Sequence, residues 1–99
     1  MNFVRTEVKG SVAWVWLKRP ETRNAFDEAM ILEITTAFTL PPAEARVIVL
    51  AAEGPAFCAG GDVEWMKRSK AFTPEENRRD AQALAQMLRA VEECPLPVV

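Results

Sequence analysis

An uninterrupted apolar run at Val47–Ala52, with charged residues on both sides, is the feature that most limits the fold of this chain. Such a run is typical of a strand that is covered on both faces, as in the largely parallel sheets of α/β proteins. A similar run, Leu96–Val99, follows Pro95 near the last residue of the sequence. We therefore expect an α/β fold in which both runs are buried strands.

Three further elements are predicted from periodicity and capping signals. Alternating apolar and polar residues at Val4–Val8, a glycine turn and the apolar segment Val12–Leu17 indicate a hairpin. Apolar residues recur at helical spacing after Asp27, which can cap a helix. A threonine cap, a proline and two glutamates at Thr73–Glu76 predict the start of a second helix, which continues to about Glu93.

Composition narrows the possible functions. The 99 residues are 49% hydrophobic and 26% charged, which predicts a small globular chain, and we treat residues 1–99 as part of a single domain. A net charge of −2 offers no general attraction to nucleic acid or to an anionic membrane. The sequence has no histidine, so this chain alone cannot form a Ser-His or Cys-His nucleophile.

Neither secretion nor metal binding is indicated. No apolar run approaches the ~20 residues of a membrane span, and the N-terminus lacks a secretory pattern, so we expect a cytoplasmic protein. Cys58 and Cys94 do not have the spacing of metal ligands. We therefore expect two free thiols and no metal site.

Two loop segments could carry chemistry. Ala56–Asp62 lies between a predicted strand and a short helical pattern at Val63–Lys67, and its two glycines would let the backbone approach a ligand. Amides at the start of a helix can also stabilise an oxyanion. Lys18–Phe26 contains three cations that could meet a phosphate. Taken separately, the first segment is better explained as a turn that needs glycine, and the second as a solvated loop.

Taken together and in order, these segments resemble a known family. The motif R-P-E-T-R-N-A-F-D, then V-I-V-L-A-A-E-G-P-A-F-C-A-G-G-D, then a long helix leading into C-P-L-P-V-V resemble the crotonase (enoyl-CoA hydratase/isomerase) superfamily over all 99 residues. The resemblance implies the N-terminal portion of a crotonase-type ββα spiral fold, apparently truncated after Val99. It also implies an acyl-CoA substrate, with coenzyme A as part of that substrate and no separate cofactor.

The resemblance further implies which residues meet the substrate. The loop at Arg23, Asn24 and Ala25 would run along the coenzyme A moiety, and backbone groups near Ala59 would hold the adenine. The amide of Gly61 would be one of two donors to an oxyanion, which is the catalytic role that we assign to it. Additional substrate contacts are expected from the residues that follow, namely Asp62, Val63, Glu64 and Met66.

In family hydratases the second oxyanion amide and the catalytic glutamates come from segments after the strand that begins at Val98. The resemblance therefore implies a parent protein that adds water across a 2-enoyl-CoA double bond, with residues 1–99 inactive alone. Isomerase, decarboxylase, dehalogenase and thioester hydrolase chemistry stay open as alternatives, as does a truncated chain without a function. RNA binding, which is known for one crotonase relative, is disfavoured because the first helix is acidic here.

Two narrower expectations complete the sequence-based picture. C-A-G-G-D-V-E-W-M followed by T-P-E-E-N-R-R-D-A is similar to bacterial methylglutaconyl-CoA hydratases. The family also implies a homo-trimer or a hexamer. We interpret the glutamates near the loops and helix ends as caps or solvated residues rather than as a general acid or base: Glu64, Glu75, Glu76, Glu92 and Glu93.

Overall fold

A three-stranded sheet positions the rest of the chain in the computed structural model, which describes residues 3–54, 57–58 and 60–99. Strands β1 (Val4–Lys9) and β2 (Val12–Leu17) form the predicted antiparallel hairpin, and β3 (Val47–Ala52) pairs parallel to β2. Gly10 lies in the tight turn of the hairpin with φ +62, a conformation that favours glycine. The predicted α/β class and the three strands are confirmed.

Three helices and one turn of 3-10 helix complete the described chain. They are the 3-10 turn Pro20–Thr22, α1 (Glu28–Thr39), α2 (Val63–Ser69) and α3 (Pro74–Glu92). The caps predicted from the sequence are present: Asp27 accepts the N–H of Met30 at 2.9 Å, and Thr73 and Glu76 form a capping box. Helix α1 ends before two consecutive prolines, which cannot continue it.

The core lies between one face of the sheet and helix α1, with α3 packed on α1. Its fully buried side chains include Met30 and Phe38 from α1, Val15 and Leu17 from β2, and Ile48 from β3. The helical spacing of the apolar residues of α1 explains this packing, because it turns one continuous face toward the sheet. Helix α1 begins after Asp27 and helix α2 after Asp62, so each starts at the end of one of the two loops singled out in the sequence.

Two expectations about the apolar runs are met only in part. Within β3 Ile48 is fully buried, whereas the other residues are partly exposed. Val49 and Ala51 share the sheet face of Trp14 and Trp16, away from the core, while Leu50 and Ala52 pack against the core without being fully buried. The predicted strand Leu96–Val99 is a shorter feature, in which Val98 forms an isolated parallel bridge to Ile48. Burial of β3 on both faces is therefore wrong for the described part of the chain.

Across residues 3–54, 57–58 and 60–99, no helix is long and apolar enough to cross a membrane. Cys58 and Cys94 are both free thiols, as the sequence predicted.

Candidate functional site

The two loops singled out in the sequence meet through their backbones. Phe26, just before α1, forms a parallel bridge with Gly61, just before α2. The Phe26 N–H donates to the carbonyl of Gly60 at 2.7 Å, and the Asp62 N–H donates to the carbonyl of Phe26 at 2.6 Å. The position of Gly61 is therefore set by the first loop as well as by its own.

The two loops also approach each other closely where the second loop leaves β3, and this approach requires a glycine. Gly54 has φ +90, and a Cβ atom placed on it would lie 2.9 Å from the Cβ of Pro20 in the first loop. Any side chain at Gly54 would push the loops apart, in addition to the strain of a left-handed backbone. The contact fixes the spacing between the 3-10 turn and the exit of β3.

The amide of Gly61 has no hydrogen-bond acceptor among the described residues. In a parallel bridge of this pattern, Phe26 bonds to the residues on either side of Gly61, so the N–H of Gly61 faces away from Phe26. The amide is therefore free of the sheet-like pairing that fixes its neighbours. An oxyanion donor needs this freedom, and the assignment of that role to Gly61 stays a prediction.

A cavity of about 290 Å³ lies where the loops meet. Its lining residues come from both loops and from the first turn of α2, and they are Thr22, Ala25, Gly61, Asp62, Val63 and Glu64. Val63 is 60% exposed, so the cavity is open to solvent on this side. The structure thus brings together five of the residues that the sequence proposed for ligand contact, from segments far apart in the chain.

Asn24 has a different role from the one that the sequence predicted. It is fully buried, its Oδ1 accepts the N–H of Arg19 at 2.8 Å, and its Nδ2 donates to the carbonyl of Glu53 at 2.8 Å. Asn24 and Arg23 have φ of 58 and 54, a left-handed conformation that asparagine tolerates better than most residues. Asn24 braces the first loop against the end of β3 and presents no surface to a ligand.

Arg23 and Arg19 differ in their environment although both were grouped as cations for a phosphate. Arg23 is exposed and stays a candidate for coenzyme A contact. Arg19 is directed inward, where its Nη1 lies 2.9 Å from Oδ2 of Asp62 and 3.2 Å from Oδ2 of Asp27. The phosphate interpretation is therefore wrong for Arg19, because its charge is already paired between two carboxylates.

Asp62 is buried and caps α2. Its Oδ1 accepts the N–H of Trp65 at 3.1 Å, while Oδ2 pairs with Arg19. The Trp65 N–H and the charge of Arg19 lower the pKa of the Asp62 carboxyl from its ordinary 3.8, although burial acts in the opposite direction. Asp62 therefore remains ionised in the folded protein and orders the segment that follows Gly61.

Some side chains of α2 pack against the rest of the protein, and others are exposed to solvent. Trp65 donates its indole N–H to Asp80 of α3 at 3.0 Å and packs against the hydrophobic core. Met66 is 52% exposed, and its Sδ lies 3.8 Å from the position that a Cβ on Gly61 would occupy. Met66 is thus the apolar neighbour of the Gly61 backbone on the side of α2.

Other predicted residues lie outside this arrangement. Ala59, assigned to the adenine, lies outside the described residues. Glu64 pairs with Lys67 on the surface at 3.4 Å, and Glu76 closes the capping box. The remaining glutamates of the set, which are Glu75, Glu92 and Glu93, are exposed. These positions agree with the interpretation of all five as caps or solvated residues.

Comparison with known proteins supports the same fold and family. Residues 7–99 match the enoyl-CoA hydratase/isomerase family. A Rhodobacter capsulatus protein named "Probable enoyl-CoA hydratase" is 36% identical over 96 residues, which cover 97% of this chain and 36% of that protein. The crystal structure of an enoyl-CoA hydratase from Shewanella pealeana superposes with a TM-score of 0.90 at 31% identity, covering 98% of this chain and 37% of that one.

A Legionella pneumophila structure assigned to the enoyl-CoA hydratase/isomerase (crotonase) group gives the same TM-score of 0.90, again at 31% identity, and covers 97% of this chain and 38% of its own. The chain therefore belongs to the enoyl-CoA hydratase/isomerase family and has the crotonase fold. It spans well under half the length of the relatives that it matches. The proteins that it matches are named as enzymes of this family.

Proposed function

We propose that residues 1–99 form the acyl-CoA-binding half of an enoyl-CoA hydratase, with the Gly61 amide as one of two donors to the thioester oxygen. The observation that carries this proposal is the Gly61 N–H, which lacks an acceptor among the described residues and belongs to a residue that lines the cavity between the loops. Family membership supplies the substrate class, because the relatives named above are enoyl-CoA hydratases.

The chemistry explains why a backbone donor would be placed here. Adding water to a 2-enoyl thioester moves negative charge onto the thioester oxygen, and fixed N–H groups stabilise that charge without reorganising. Removal of one such donor typically costs about 3 kcal/mol of transition-state stabilisation. Asp62 and Phe26 hold the backbone on either side of Gly61, so the amide would be fixed before the substrate arrives.

The catalytic acid and base are proposed to lie outside residues 1–99. The glutamates near the loops are caps or exposed surface residues in this structure. We propose that the parent protein hydrates a 2-enoyl-CoA and that residues 1–99 made alone are inactive and weakly stable, since one face of β3 lacks cover. Other crotonase chemistry, above all double-bond isomerisation, is the second candidate, because the family includes isomerases.

Finer features of the parent remain proposals from the resemblance. They are a methylglutaconyl-type acyl group, a homo-trimer or hexamer, a cytoplasmic location, and coenzyme A as part of the substrate with no further cofactor. The low net charge of −2 leaves the binding of the coenzyme A phosphates to local cations, among which Arg23 is exposed beside the cavity.

The test compares residues 1–99 with the natural gene product that carries them, both with a short 2-enoyl-CoA. Loss of the enoyl absorbance measures hydration, and movement of the double bond in the product measures isomerisation. We expect hydration by the natural product and none by residues 1–99 if these are only part of it. Turnover by residues 1–99 alone at the same rate would contradict the proposal and would direct attention back to the exposed glutamates.

A further inference from the structure

We propose that Arg19 is a positioning residue for the Gly61 amide, because its guanidinium, held between the carboxylates of Asp27 and Asp62, locks together the two loops of the candidate site. This inference deepens the function proposed above and rests on it for its catalytic readout. The sequence grouped Arg19 with the cations of a solvated loop, and the structure assigns it to the interior.

Arg19 is enclosed by contacts on several sides. Its side chain is 15% exposed, and Nη1 contacts Oδ2 of Asp62 at 2.9 Å, Oδ2 of Asp27 at 3.2 Å and the carbonyl of Ala25 at 3.2 Å. The guanidinium carbon lies 5.0 Å from the ring centroid of Phe3, a cation–π distance. Three oxygens therefore meet at one nitrogen of the guanidinium, while its plane lies near an aromatic ring.

Each aspartate divides its two oxygens between a helix and this arginine. Asp27 uses Oδ1 for the N–H of Met30, and Asp62 uses Oδ1 for the N–H of Trp65. The remaining oxygen of each faces Arg19. One cation therefore ties the starts of α1 and α2 together. This tie acts beside the backbone bonds of Phe26 to hold Gly61, which directly precedes Asp62.

We call the cluster of Arg19, Asp27 and Asp62 the lock. Its charges show why the arginine is needed. Asp27 and Asp62 are 9% and 4% exposed, so two carboxylates share one buried cation. Without Arg19 they would face each other, and such a pair releases its repulsion by binding a proton or by moving apart. The other charges near them are Glu28 and Arg68, which pair with each other at 2.7 Å. Arg68 is largely exposed, so it cannot replace the buried cation.

The experiment uses the natural gene product that carries this sequence, with Arg19→Met, Asp62→Asn and the double variant. Asparagine is a good helix cap, so Asp62→Asn keeps the start of α2 and removes one of the two facing charges. Its amide nitrogen then faces Arg19 in place of a carboxylate oxygen, so this variant also loses the Asp62 half of the lock. Arg79→Met, on the exposed side of α3, is the matched control for loss of an arginine. Each variant is measured for kcat, KM and pH profile, and for the 1H–15N chemical shift of the Gly61 amide.

We expect Arg19→Met to lower kcat by about 10²-fold with KM changed less than kcat, since small misplacements of a reacting group have effects of this size. Its activity should rise toward low pH, where one of the facing carboxylates takes up a proton. The double variant should lose this pH dependence, because two carboxylates no longer face each other, but its kcat should stay at least about 10-fold below that of the wild type, because the lock is still missing. Arg79→Met should match the wild type.

Two outcomes separate the lock from the proposed function. If the wild-type product shows no hydration, the function fails, and the lock is decided by the Gly61 amide shift, which should move in Arg19→Met relative to the wild type. If Arg19→Met does not fold, the double variant decides, because it lacks the repulsion. A folded Arg19→Met with the Gly61 shift of the wild type, or a folded double variant with the kcat of the wild type, would overturn the proposal.

Discussion

Removing the N–H of Gly61 should slow the reaction while leaving the fold intact. Gly61→Pro replaces the donor with a ring nitrogen, whereas Gly61→Ala keeps it. Alanine is expected to fit, because the nearest atom to an added Cβ is Sδ of Met66 at 3.8 Å, an ordinary contact distance, and Gly61 lacks the positive φ seen at Gly54 and Gly60. Proline breaks no hydrogen bond of the described residues, since the Gly61 N–H has no acceptor there.

The magnitude follows from the loss of one of the two proposed oxyanion donors. Loss of one oxyanion donor lowers kcat by about 10²–10³-fold in a water-excluded active site. Gly61→Pro should therefore lower kcat of the natural gene product by this amount, which corresponds to about 2.7–4 kcal/mol. KM should change less, since the donor acts mainly on the charge that develops in the transition state.

The assay follows enoyl absorbance with the natural gene product and both variants, with thermal unfolding as a check on the fold. If Gly61→Pro is poorly folded, a backbone ester in place of the Gly60–Gly61 amide removes the same N–H with less change of shape. Equal kcat for the wild type, Gly61→Ala and the ester variant would refute the oxyanion assignment.

Two further predictions concern stability. Asn24→Ala should lower the free energy of unfolding by at least about 2 kcal/mol, because two partly buried backbone groups lose their partners at about 1–3 kcal/mol each. The exposed Asn77→Ala should change it little, and urea unfolding measures both. Asp62 has a lowered pKa in the folded state, so its stabilising contribution is present above the ordinary aspartate pKa of 3.8 and is lost as the pH falls through the lowered value. Asp62→Asn should therefore flatten the dependence of Tm on pH in the acid range. If the Tm of the variant falls with pH as steeply as that of the wild type, other carboxylates govern the acid dependence.

The secondary structure followed from local rules that act within a few residues. The hairpin, the apolar strand Val47–Ala52 and the capping box at Thr73 were all predicted, because alternation, apolar runs and cap residues depend on neighbours in the chain. The crotonase family was recognised from two loop motifs in the right order, and the comparisons confirm it. Neither motif alone would have distinguished a ligand site from an ordinary turn.

The roles of individual loop residues were decided only by the tertiary structure. From the sequence, Arg19 and Arg23 were alike as cations, and Asn24 was grouped with the residues that contact a ligand. The fold places Asp27 and Asp62 on either side of Arg19 and puts the carbonyl of Glu53 beside Asn24, which turns both residues inward. Because these partners come from distant segments, only the packing of the sheet and helices determines which polar side chains hold the loops and which remain free for a ligand.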